Sequence, residues 1–64
     1  MGSGGIIQQN SVIKTAVMDH SIYSVLPAKC KDVVDVISTK ALADWSEEDR
    51  FLMASMLLAA VMAT

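Results

Sequence analysis

His20 and Cys30 are the single histidine and the single cysteine of this sequence, and as a pair they would supply a base and a nucleophile. Such a dyad works only when a third group orients the base and donors surround the developing oxyanion. The sequence identifies neither. Asp19, His20 and Cys30 would make a mononuclear metal site only if two chains contributed, because a structural zinc site takes four ligands. The residues therefore point to no catalytic, metal or cofactor site. Cys30 reads as a small core hydrophobe and His20 as a partly exposed polar residue.

Asp44, Glu47, Glu48 and Asp49 put four carboxylates within six residues. Acids collect at the first turn of a helix because its free N–H groups and dipole favour negative charge. Capping explains the cluster without a bound cation, and a docking patch for a basic partner is the functional alternative. Nucleic acid is a poor partner for a chain of net charge -2 with five cations. Tyr23, Trp45 and Phe51 are isolated aromatics and form no stacking platform.

These side chains have to be positioned by helices. Ser46 reads as an N-cap whose hydroxyl accepts from the Asp49 amide, with Asp49 reaching back in a shortened capping box and Trp45 stapling onto Arg50 or Phe51. From there the chain has no Gly or Pro, which predicts a helix over 47–63. It is apolar all round: Phe51, Leu58 and Met62 share one side, Leu52, Met56 and Ala59 another, and Met53, Leu57 and Ala60 a third. Cys30, Val33, Val34, Ile37 and Ala41 recur at helical spacing and predict an amphipathic helix over 28–41, opened by Pro27 and supported by a Lys31–Asp35 pair. Val36 lies near its polar side. Val12, Ile13, Ala16, Val17 and His20 fit a third helical face over 10–25 after an Asn10 or Ser11 cap, bent near Asp19-His20-Ser21. The β-branched residues of that stretch keep a strand open as the alternative. Residues 1–9, rich in Gly, read as a flexible leader to a single helical domain over 10–64.

The chain has 64 residues, of which 53% are hydrophobic, and ten of its twelve charged side chains fall between Lys29 and Arg50. A domain this small buries only roughly 60% of its unfolded surface, and one cysteine excludes an internal disulfide to compensate. Apolar residues in excess of what the chain can bury need a second chain to cover them. The uncharged run Phe51–Thr64 reaches only about 21 Å as a helix, short of a bilayer core of roughly 30 Å, which argues against a membrane span. The N-terminus lacks the basic and apolar regions of a secretory signal, so a cytoplasmic protein is expected.

The resulting expectation is an all-α, three-helix chain forming a homodimer or bundle through its last helix, with Phe51, Leu52, Met56, Leu57, Ala60 and Val61 at the oligomer interface. Tyr23, Val36 and Trp45 are expected to contact another protein. The expected function is non-catalytic: a small regulatory protein, adaptor or inhibitor, that occupies another protein's surface. Two alternatives come from other classes. One is a membrane-surface protein. The other is a DNA-binding regulator, because segment, helix, helix over 11–63 is similar in element order to a ribbon-helix-helix dimer, though without the alternating polar strand such a reader needs.

Overall fold

The computed structural model describes residues 2–63, with side chains from Gly5 onward, and every regular element among them is helical. The order is α1 (Gly2–Val17), α2 (His20–Tyr23), α3 (Ala28–Ser38), a 3-10 turn (Leu42–Asp44) and α4 (Glu47–Ala63). The stretch that a DNA-reading ribbon would take is the second half of α1.

Three of the expected boundaries shift, each for a local reason. The helix expected to start at Asn10 starts at Gly2, so residues 2–9 are its first turns rather than a flexible leader. Asn10 is no cap: it is 1% exposed, and its side-chain Nδ2 donates to the carbonyl of Leu42 at 2.9 Å. With Asn10 counted as inward-facing, Ile6, Asn10, Ile13 and Val17 share one face at i, i+4, i+7 and i+11, which carries the helical pattern back to Ile6. The predicted bend is a full break. Asp19 caps α2, its Oδ1 accepting from the Ser21 amide at 3.0 Å and the Ser21 hydroxyl at 2.7 Å, which makes four α-helices where three were expected. The third shift is at the end of α3, which stops at Ser38 instead of 41. There the Ser38 hydroxyl donates to the Val34 carbonyl at 2.6 Å and the Thr39 hydroxyl to the Val36 carbonyl at 2.7 Å, the local competition that ends helices.

The fourth helix falls where the sequence puts it. Ser46 Oγ accepts from the Asp49 amide at 3.0 Å, and Asp49 Oδ2 accepts from the Ser46 amide at 3.0 Å, so the shortened capping box is formed in both directions.

The core draws on α1, α3, α4 and the connecting segments: Val17, Leu26, Val34, Ile37, Trp45, Met53 and Ala60 are buried, and Cys30, Val33, Leu42, Leu52, Met56 and Leu57 are among the half-buried residues packed around them. α4 is the element the others wrap, with contacts to α1, α2 and α3. Asn10 is the polar residue in the α1 side of this packing. Asn10→Ala is expected to lower stability by about 1–3 kcal/mol, because the Leu42 carbonyl loses its 2.9 Å donor and keeps only the longer 3.4 Å bond from the Trp45 amide. A urea titration followed by circular dichroism measures the loss.

Candidate functional site

The residues with potential chemistry do not converge. His20 is exposed at the start of α2, Cys30 is a half-buried member of the core's edge, and the Asp19 carboxylate is occupied by Ser21. No group of three His, Cys, Asp or Glu side chains able to hold a metal ion occurs among the described residues.

Of the four clustered acids, Asp49 has a defined structural task. Besides the Ser46 amide, its Oδ2 takes the Lys40 ammonium at 2.8 Å, which clasps the end of α3 to the start of α4. The Lys40 hydrogen bond, followed by the Ser46 amide, holds its carboxyl below the ordinary value of 3.8. A group whose folded pKa is lowered adds stability that is present above its unfolded pKa. That stability starts to go as the pH falls toward 3.8 and is gone below the lowered folded value. Thermal melts from pH 6 downward are expected to show an acid limb that Asp49→Asn reduces.

The expected Lys31–Asp35 pair is replaced by a different arrangement. Asp35 accepts from the Tyr23 hydroxyl at 2.8 Å, and the Lys31 ammonium sits over the Tyr23 ring, 5.6 Å from its centre. The hydrogen bond to Asp35 raises the Tyr23 phenol above its ordinary value. Tyr23 thus joins α2 to α3 and is not a free outward contact as expected. Trp45 corrects the same expectation more strongly: it is 6% exposed and part of the core. Val36 is exposed, at the lip of a groove between α3 and α4. That groove, about 320 Å³, is walled by Val33, Val36, Ile37 and Leu52, with Asp32 and the Lys40–Asp49 pair at its edges.

The most conspicuous surface is on α4 itself. Asp49, Met53 and Ala60 turn inward, with Leu52, Met56 and Leu57 half-buried beside them. At 100° per residue, Phe51, Leu58 and Met62 fall within about 20° of one line on the opposite side. They are 70%, 61% and 78% exposed, and Val61 beside them is 53% exposed. α4 is therefore packed on one side and apolar to solvent on the other.

Of the six expected interface residues, Phe51 and Val61 lie on this outer face. Ala60 is buried within its own chain, which removes it from any interface, and Leu52, Met56 and Leu57 are largely used by the core. Leu58 and Met62 belong to the outer face and were absent from the expected set. Their signal was in the sequence, since they share a helical line with Phe51. A helix apolar on every side carries no mark of which side turns inward.

Compared with protein-family models, with curated proteins and with solved structures, the chain gives no match.

Proposed function

We propose that this chain is a non-catalytic protein-binding protein that self-associates through the outer face of α4 and presents the remaining surface to another protein. The observation that supports this reading is the stripe of Phe51, Leu58 and Met62, exposed on the back of a helix whose front is the core. Contiguous apolar surface of this kind marks association in small proteins. A second copy is the occupant that needs no further assumption: two identical stripes laid against each other about a twofold axis are self-complementary in chemistry.

The size of the surface sets the expected strength. Burying one large aliphatic or aromatic side chain yields about 1.5–3 kcal/mol at about 25 cal/mol per Å², or roughly 100 Å² each. Four such side chains give roughly 400 Å² per chain and, with their small neighbours, a dimer near the lower limit of about 1,000 Å² for specific interfaces. An interface of that size suits a weak dimer, in keeping with a regulatory protein whose state changes with concentration. The groove beside Val36 is then the place for the second, heterologous partner. A lone half-buried thiol requires no oxidising compartment, and the reading keeps the protein in the cytoplasm. The membrane-surface alternative fits less well, because an interfacial helix needs a charged face beside its apolar one and the charges of α4 are confined to its first turn.

Light scattering after size exclusion, from low micromolar to hundreds of micromolar chain, tests the proposal. A mass rising from one chain to two is the expected result, and a folded monomer throughout that range overturns it.

A further inference from the structure

Two copies of α4 can meet through their outer faces in two ways, and the side chains along the stripe distinguish them. A twofold axis parallel to α4 sets the two helices parallel, each residue facing its own copy. An axis perpendicular to α4 sets them antiparallel, the start of one stripe facing the end of the other. The two ends of the stripe differ in charge. Glu47 is exposed one turn before Phe51 and falls about 40° round the helix from it, and Glu48 beside it is also exposed. From Leu58 to Ala63 there is no charged residue. A parallel pair brings Glu47 against Glu47 at the end of an apolar contact, and facing like charges oppose association. An antiparallel pair separates the acidic ends by the length of the stripe.

Side-chain size favours the same arrangement. Ser55 stands four residues after Phe51 and Leu58 four before Met62, so laying Phe51 of one copy on Met62 of the other also lays Leu58 over Ser55. Ser55 is half-buried and its neighbour Ala54 is small, which leaves a shallow seat between Phe51 and Leu58 for that leucine, as a knob fits a hole on a facing helix. The parallel pair stacks Leu58 on Leu58 and leaves Ser55 opposite Ser55. The antiparallel pairing also sets the Met62 thioether against the Phe51 ring, a favourable contact. We infer, building on the self-association proposed above, that the occupant of the outer face is a second copy running antiparallel, with Phe51 of each on Met62 of the other and each Leu58 over Ser55. One consequence concerns the α3–α4 groove, whose wall residue Leu52 lies about 100° round α4 from Phe51. The antiparallel twofold axis, perpendicular to both α4 and the outward direction of the stripe, lies near that line. The dimer therefore carries both grooves on one side, where a parallel pair carries them on opposite sides, and offers one partner two docking places at once.

The unaltered chain at hundreds of micromolar is the sample, and the readout is the nuclear Overhauser effect between the Phe51 ring and the Met62 methyl, with light scattering alongside. The ring signals are unique because the chain has one phenylalanine, and the methyl is assigned by its loss in Met62→Leu. Within one chain the two residues stand about 17 Å apart along α4, too far for that effect, so a cross-peak has to pass between chains. The expected result is a Phe51–Met62 cross-peak that weakens on dilution as the mass falls toward one chain. A dimer without the cross-peak overturns the antiparallel arrangement and leaves self-association standing, whereas the mass of one chain throughout overturns both. Ser55→Leu is an independent check, expected to weaken the dimer at least tenfold by filling the seat of Leu58. A Ser55→Leu dimer as tight as the parent's or tighter overturns the arrangement. If that variant fails to fold, the cross-peak in the unaltered chain still decides.

Discussion

Met53→Ala is expected to unfold most of the population at room temperature. Met53 is 0% exposed and is the largest fully buried side chain, held at the point where α4 meets the rest of the core. Truncating a buried Met removes its transfer free energy and leaves a cavity, together about 2–5 kcal/mol. A single core in a chain of this length supplies only about 3–5 kcal/mol of net stability. The loss is therefore comparable with the whole. Met53→Leu, close in volume, is expected to cost less than about 1.5 kcal/mol. Met62→Ala, on the same helix but 78% exposed, is expected to stay within about 0.5 kcal/mol in the monomer. Urea midpoints for the three variants at one low concentration check the ranking. Equal losses at 53 and 62 would mean that the two sides of α4 are not divided as described.

Phe51→Glu with Leu58→Glu is expected to abolish the dimer while leaving the monomer folded. Both residues point away from the core, so the monomer loses little packing. In a twofold contact each substitution counts twice. Losing two Leu58 side chains alone removes about 3–6 kcal/mol of burial, a weakening of about 10²- to 10⁴-fold, before any cost of placing carboxylates in the contact. Light scattering of the variant at hundreds of micromolar is expected to give the mass of one chain, with the helical circular dichroism of the parent at low concentration. The parent's melting temperature should rise with concentration and the variant's should not. A variant that remains dimeric would move the contact elsewhere, the α3–α4 groove being the next surface to alter.

The parts of this fold that were legible in the sequence are those governed by neighbours a few residues apart. Ser46 and Asp49 announced the start of α4 because a capping box is a local exchange of hydrogen bonds. Cys30, Val33, Val34 and Ile37 announced the inner face of α3 because polar residues fill the other side. What could not be read depended on distant partners. Asn10 looks like a cap until the Leu42 carbonyl, 32 residues away, is placed beside it. Lys40 was one exposed cation among several, and its pairing with Asp49 follows from where α3 stops, two hydroxyl hydrogen bonds earlier than the apolar periodicity indicates. Trp45 reads as a staple and as an outward contact, and only the assembled packing shows it as part of the core. The outer stripe of α4 was visible as a helical line, but its orientation came only from the packing of Met53 and Ala60 against the rest of the chain.

The buried amide of Asn10 has a consequence for how many ways this chain can pack. α4 offers apolar side chains around its whole circumference, so by hydrophobicity alone α1 would settle against it nearly as well after sliding by a turn or rotating to a neighbouring face. Such near-equivalent arrangements turn a greasy small chain into a fluctuating ensemble. In the observed placement the Asn10 Nδ2 reaches the Leu42 carbonyl while its Oδ1 stays buried without a partner, and an arrangement that broke the Leu42 contact would leave both polar atoms unpaired in the interior. A single polar side chain on an otherwise apolar face thus selects one arrangement among many, as a buried Asn does for the alignment of coiled-coil strands.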